Sequence, residues 1–263
     1  MIGARAIVLL GQLSWLRRAV QAWVNRYAEG SVVPIRYGHA SGLSWRRHHR
    51  YVNGYWIGHY EWPLQDAFHR ELSRGQTFFD IGANAGFFTL LAARLVGEKG
   101  LCVAFDPSPD NCTSIREQIA LNPLCSCSVV NEAIWNFDGT APFDFVAAGS
   151  SVAHIETTGH PEKLPTVDVT TIDRACARFG KPDLIKLDIE GAEAQALAGA
   201  KHTLECLRPT WVIELHGDNC EAVVRDILQQ AFYAFFNLSG LPLSTTQSLP
   251  RHFIARPCET PDP

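Results

Sequence analysis

The chain has 263 residues, 46% of them apolar and 19% charged, with a formal net charge of −4. That size and composition suit one large globular domain with an N-terminal extension rather than two domains. Eight scattered cysteines and no convincing secretory leader argue for reduced thiols in a cytoplasmic protein, and against a disulfide framework.

The first 50 residues carry eight arginines (Arg5, Arg17, Arg18, Arg26, Arg36, Arg46, Arg47 and Arg50) and one acid, Glu29, so the body of the chain is strongly acidic. Ala6–Leu16 is apolar but, at about ten residues, too short to span a bilayer. Ile7, Leu10, Leu13, Leu16, Val20, Trp23 and Val24 recur mostly at helical spacing. The segment suits either a helix lying on an anionic membrane surface or a helix docked on the protein's own core, and docking has slightly the stronger case. Residues 1–53 are therefore assigned as a basic, partly helical extension, 54–258 as the main domain and 259–263 as a tail. Tyr55-Trp-Ile-Gly-His-Tyr-Glu61-Trp follows, an aromatic cluster that reads as a lid over a cofactor or as a staple on the core.

From residue 77 onward strands and helices alternate, which predicts a doubly wound, mostly parallel α/β sheet with helices on both faces. Thr77-Phe-Phe-Asp80-Ile-Gly82-Ala83-Asn84-Ala-Gly86-Phe-Phe-Thr reads as a buried strand, a glycine turn and the start of a helix. Its spacing is D-x-G-x-x-x-G and not the G-x-G-x-x-G of dinucleotide enzymes. A pyrophosphate needs bare N–H groups at a helix start, and an aspartate there repels it. A ligand with an ammonium and a sulfonium but no phosphate fits, which points to S-adenosylmethionine (SAM). Strand 101–106 ends in a second acid, Asp106, followed by Pro107; it lies 20 residues beyond Gly86, at the interval of an acid that binds a ribose hydroxyl pair. Helix caps are the bland alternatives for Asp80 and Asp106.

Helix 109–121 and strand 128–134 come next. Glu132, with Ala133 beside it, reads as an adenine contact or a surface acid. Extended pieces at 141–147 and 165–171 flank Gly149–Pro165, a candidate mobile loop. Helix 172–179 leads to strand 183–188 and the dense run Lys186-Leu-Asp188-Ile-Glu190-Gly-Ala-Glu193. Asp188 and Glu190 fall where a parallel sheet presents its ligands, so they are candidates to orient an acceptor hydroxyl or remove its proton. Glu193 reads as a charge favoured by the helix dipole. After helix 191–206, strand 210–216 ends in Glu214 and His216, and His216 is a further candidate base. Helix 218–230 and strands near 232–238 and 252–256 close the domain.

These residues together resemble the FkbM family of SAM-dependent methyltransferases. The resemblance covers roughly 54–256 and rests on Gly58–Glu61, the Phe79–Thr89 glycine loop, Asp106-Pro107, Ile185–Glu193, and Leu207–Pro209 with Glu214–His216. It implies a class I methyltransferase fold with seven strands, the last antiparallel and inserted beside the sixth. It also implies methyl transfer from SAM to a hydroxyl of a sugar, glycolipid or secondary metabolite. The expected cofactor contacts are Glu61, Asp80, Gly82, Ala83, Asn84, Gly86, Asp106, Pro107, Glu132 and Ala133; the expected catalytic residues are Asp188, Glu190 and His216. Asp106 stands where a longer Glu is common in the family. Without the resemblance, a NAD-dependent oxidoreductase or a non-catalytic SAM-binding module on the same sheet remain the alternatives.

No metal is assigned. Asp188, Glu190 and His216 are acceptable hard ligands but lack a compact spacing. Cys125-x-Cys127 is too close for the usual zinc pair and no partner pair follows it, while Cys102 reads as a small core residue. A basic arm on an acidic body is weak support for nucleic acid, which is not assigned as a partner. An anionic small-molecule or glycan acceptor fits equally well, with peripheral membrane contact through the N-terminal helix. Nothing in the sequence bears on oligomeric state.

Overall fold

The structure, a computed structural model, describes residues 27–51, 53–144, 154–155, 164–216, 220–244 and 247–258. The helix expected over 6–24 and most of the loop expected at 149–165 lie outside the described residues. The chain divides into two compact units, Met1–Tyr60 and Glu61–Pro263. Among the described residues, no helix is long and apolar enough to cross a membrane.

In the first unit, strands β1 (Val32–Pro34) and β2 (Ser44–Arg46) pair antiparallel. Trp45 and Tyr55 are buried with ring centroids 5.1 Å apart. The Arg47 guanidinium lies 3.6 Å from the Tyr27 ring centre and donates to Ser31 Oγ, and Arg46 donates to the Gly30 carbonyl. Part of the basic segment is thus spent on holding its own hairpin together. Tyr55–Ile57 forms a 3-10 turn that belongs to this unit.

The second unit opens with α1 (Trp62–Glu71) and then the strand–helix alternation. Its strands are β3 (Thr77–Ile81), β4 (Leu101–Phe105), β5 (Ser126–Val130), β6 (Ala133–Ile134), β7 (Gly139–Asp144), β8 (His154–Ile155), β9 (Thr166–Thr170), β10 (Leu184–Leu187), β11 (Thr210–Glu214), β12 (Tyr233–Phe236) and β13 (His252–Pro257). Its further helices are α2 (Phe87–Val96), α3 (Pro109–Leu121), α4 (Ile172–Phe179), α5 (Glu193–Ala198) and α6 (Cys220–Gln230). Seven strands form one sheet in the order β12-β13-β11-β10-β3-β4-β5. Strands β5, β4, β3, β10 and β11 run parallel, while β13 is antiparallel to both β11 and β12. This is the class I methyltransferase order, with the last strand slotted beside the sixth.

Central strands buried on both faces must be apolar almost throughout. Phe78, Phe79 and Ile81 of β3 and Leu184, Ile185 and Leu187 of β10 are buried accordingly. Two charged residues break that rule side by side: Asp80 and Lys186 are register partners across β3 and β10, and both are buried. They mark where the core ends and the site begins.

Two predicted elements are corrected. The strand expected over 128–134 is two strands, because the chain turns at Asn131–Glu132: β5 stays in the main sheet, while β6 pairs with β9 in a separate four-stranded sheet, β6-β9-β7-β8. The helix expected over 191–206 is interrupted at Gly199, where any Cβ would come within 2.5 Å of the Trp135 carbonyl oxygen. The chain resumes as a π turn at Thr203–Leu207.

Candidate functional site

The glycine turn after β3 brings backbone against backbone. Gly82 has φ +82°, and a Cβ there would lie 1.8 Å from the Asp188 carbonyl oxygen. Only glycine allows the β3 and β10 loops to approach this closely. Four of the loop's amides are spent inside the protein. Gly82 N–H and Ala83 N–H both donate to the Phe105 carbonyl (3.0 and 3.1 Å), Gly86 N–H to the Ala83 carbonyl, and Asn84 N–H to Asp106 Oδ2 (2.8 Å). No amide among these four is left to cradle a phosphate.

Asp106 follows β4 and is buried, accepting also from Ser108 N–H and Asn111 Nδ2. Burial pushes its carboxyl up to about 6, although the two backbone N–H groups oppose the rise. The short side chain ties the glycine loop to the end of β4, and Asn131 Nδ2 donates to the Asp106 and Pro107 carbonyls from the end of β5. Helix α3 takes its own cap from Ser108, so the cap that the sequence allowed for Asp106 falls to its neighbour.

Asp80 sits one pleat deeper in the sheet than Asp188 and Asp106, level with Lys186. Its Oδ2 accepts from Thr89 Oγ1 at 2.6 Å. Its Oδ1 is buried with no hydrogen-bond partner, and Lys186 Nζ stands 3.5 Å away. Glu61, at the start of α1, likewise has a buried Oε2 without a partner. Burial raises both carboxyls, with nearby Asp188 adding to the rise. A buried carboxylate oxygen without a hydrogen bond is costly, so Glu61 Oε2, and Asp80 Oδ1 with only its long ion pair to Lys186, favour a ligand that donates hydrogen bonds.

Around them lie the residues expected to be catalytic. Lys186 Nζ is 3.0 Å from Asp188 Oδ2 and donates to the Gly82 carbonyl at 3.2 Å. Burial disfavours the Lys186 charge, but Asp188 and Asp80 overcome it and raise its pKa. His216 is enclosed by carboxylates. Its Nδ1 is 2.9 Å from Glu193 Oε1, and its Nε2 is 3.3 Å from Glu190, 3.4 Å from Glu214 and 3.9 Å from Asp188. Burial disfavours the imidazolium, and so does Arg251, 3.2 Å from Nε2. Arg251 is 64% exposed and screened by solvent, however, and the acids prevail: His216 is pushed up to about 10. Carboxylates against both ring nitrogens favour the imidazolium form of this expected base, while Arg251 beside Nε2 opposes it.

Glu190 takes the opposite course. Burial, then Asp188 and Glu214, push it up to about 7, although His216 and Arg251 hold it down. Its backbone is left-handed, φ +57°, a conformation that costs a non-glycine residue roughly 1–3 kcal/mol and clusters at functional sites. Glu214 is lowered, against burial, by His216, His252 and Arg251.

Glu193 was read from the sequence as a helix-dipole charge, and that was incomplete. It is fully buried, and its Oε1 accepts from Ile189 and Gly191 N–H while gripping His216. The signal was present in the helical spacing of Glu193 with Ala196, Leu197 and Ala200, which places it on the buried face.

Two expected contacts stand apart. Glu132 is paired with Arg178 at 2.6 Å, and lines a surface cleft of about 390 Å³ with Asp138, Asp168 and Arg174. Ala133 packs in the core of the second sheet. Among the described residues, Asp188, Glu214 and His216 also converge closely enough to ligate a metal. The same residues also pair with Lys186 through Asp188 Oδ2, with Arg251 through Glu214 and with Glu193 through His216 Nδ1.

The Methyltransferase FkbM domain model matches residues 80–235, more than half of the chain. The chain belongs to the FkbM methyltransferase family. The site suits a cationic donor of the SAM kind: Glu61 offers a buried oxygen without a hydrogen-bond partner, and Asp80 one held only by a 3.5 Å ion pair with Lys186. The acids of the cluster outnumber its cations even with both histidines counted. The chain is similar in structure to a methyltransferase FkbM from Methylobacillus flagellatus, at 15% identity and a TM-score of 0.49, covering 92% of this chain and 59% of that one. It is also similar to a SAM-dependent methyltransferase from Aquifex aeolicus (16% identity, TM-score 0.41, 73% and 87% covered). An rRNA methylase from Streptococcus thermophilus is comparable (12%, 0.43, 74% and 93%). A search of curated proteins gives no match.

Proposed function

We propose that this chain moves the methyl group of SAM to a hydroxyl oxygen of a small-molecule or glycan acceptor, with Glu190 taking the hydroxyl proton. One observation carries the reading: Glu190 is a carboxyl at the ligand edge of the sheet pushed up to about 7, which makes it basic enough to accept a proton and ionised enough at neutral pH to be free to do so.

When bound, SAM supplies an electrophilic methyl carbon on a sulfonium. The chain's own residues align the acceptor, receive its proton and exclude water. Asp80 and Glu61 hold the donor through the carboxylate oxygens that lack hydrogen bonds. Asp188, fixed by Lys186, orients the acceptor hydroxyl. Glu190 takes the proton from that oxygen as the carbon–oxygen bond forms. His216, gripped by Glu193, keeps its proton and offsets the negative charge of the surrounding carboxylates. A nicotinamide enzyme on the same sheet is disfavoured by the glycine-loop amides, which are already bonded. In the described part of the basic segment Arg46 and Arg47 hold the hairpin, so an anionic acceptor or a membrane surface would be met mainly through the segment's other arginines, the exposed Arg36 and Arg50 among them.

Full-length protein incubated with methyl-labelled SAM and fractionated extract of the source cells tests the acceptor class. Label is expected in a low-molecular-weight or glycan fraction, in a linkage that survives mild alkali as an ether does. Label released by ribonuclease or protease, or lost in mild alkali as from a carboxyl ester, would overturn it.

A further inference from the structure

Three cysteines meet at the far end of the sheet from the carboxylates. Cys102 on β4 is in register with Cys127 on β5. Cys125 precedes Cys127 by two residues, and alternation along the extended chain puts both side chains on the same side. Cys125 Sγ lies 3.8 Å from Cys102 Sγ and 3.5 Å from Cys127 Sγ, and all three sulfurs are within 4.8 Å of one another. Cys102 is fully buried, while Cys125 and Cys127 are partly exposed and give the cluster an opening. Four residues of strand separate Cys102 from Asp106, about 13 Å at 3.3 Å per residue, so the cluster is distinct from the methyl-transfer site.

The spacing is informative. Three thiolates around one zinc ion at about 2.3 Å sit about 3.8 Å from each other, the edge of a tetrahedron of that radius, close to the 3.5 and 3.8 Å from Cys125 to its two neighbours. The backbone therefore already holds the sulfurs at ligating separation with no large movement required. Thiols are weak hydrogen-bond donors and gain little from one another, so packing alone gives small reason to gather three.

We propose that Cys102, Cys125 and Cys127 form a three-thiolate site for a soft d10 cation of the zinc class, with a fourth position open to solvent. Soft sulfur donors select such ions over magnesium, calcium or manganese. Binding releases the protons still held by the thiols and leaves one coordination position for water or an external ligand. Cys125-x-Cys127 alone is not a zinc pair; the missing ligand comes from the neighbouring strand.

The test uses reduced, metal-free, full-length protein carrying C206S and C258S, which removes the two exposed thiols outside the cluster. Cadmium, a spectroscopic stand-in for zinc, should produce a thiolate-to-metal charge-transfer band that saturates at one equivalent. Zinc should compete it away and should protect three thiols from a thiol-titrating reagent. C125S and C127S, at partly exposed positions, should each weaken binding by more than the roughly 10–100-fold that disturbing an outer-shell partner costs. Both variants should retain the parent's unfolding midpoint and SAM affinity, which shows that they fold. Absence of the band in the folded parent, or its persistence in both variants, would overturn the proposal. So would a Cys125–Cys127 disulfide that forms in air in a protein that takes up no cadmium.

Discussion

Replacing Glu190 by glutamine should make the protein more stable and less active at once. In the folded chain the Glu190 carboxyl has moved from an ordinary 4.5 up to about 7, driven first by burial. A carboxyl raised in this way binds its proton more tightly folded than unfolded. Folding stability therefore falls as pH rises from about 4.5 to about 7, and the full cost is present above that window. The difference corresponds to at most about 3 kcal/mol at pH 8. Glutamine keeps the shape and an acceptor oxygen towards His216 but carries no charge, so E190Q should recover about 1–3 kcal/mol there. That is roughly 3–8 °C in unfolding midpoint for a chain of this size. At pH 5, where folded Glu190 is already protonated, the gain should shrink to well under half. Turnover at saturating SAM, read as labelled methyl entering the acceptor fraction, should drop roughly 100-fold or more, and the rising limb of the pH profile near 7 should vanish. E190Q less stable than wild type at pH 8, or as active, would refute the assignment of Glu190 as a buried base.

Further outcomes follow from the same geometry. G82A should be severely destabilised, because its Cβ would fall 1.8 Å from the Asp188 carbonyl oxygen at φ +82°; a thermal melt within a degree of wild type would show that the two loops separate freely. D80N should weaken SAM binding by calorimetry roughly 5–150-fold, the equivalent of about 1–3 kcal/mol for a buried group left mismatched. An unchanged SAM affinity in a folded D80N protein would remove Asp80 from the donor site.

Much of this architecture is written locally in the chain. The apolar run Phe78–Ile81, the glycines that follow and the acids at Asp106 and Asp188 each sit at a strand end, and strand period plus turn chemistry is enough to find them. The carboxylate cluster was legible because β3, β10 and β11 are neighbours in a parallel sheet, so residues at their ends must converge. What was not legible depends on contacts between distant segments. The charge state of His216 is set by Glu193 on the following helix, by Glu190 in a strained turn and by Arg251 beside β13, and no local window contains all of them. The thiol cluster exists only because β4 and β5 pair in a register that sets Cys102 opposite Cys127. Asn131–Glu132 carries no glycine or proline to announce that the chain leaves one sheet for another. That break sets Ala133 in the core of the second sheet and leaves Glu132 paired with Arg178.

The central claim is that the proton leaves the acceptor for Glu190 because His216 is already full. Nitrogen-15 NMR of the His216 ring in the folded, full-length protein at pH 7.5 measures this most directly. Both ring nitrogens should be protonated, and titration should come only near pH 10. A ring with one bare nitrogen at pH 7.5, titrating near its ordinary value, would return the imidazole to the role of base and contradict the account.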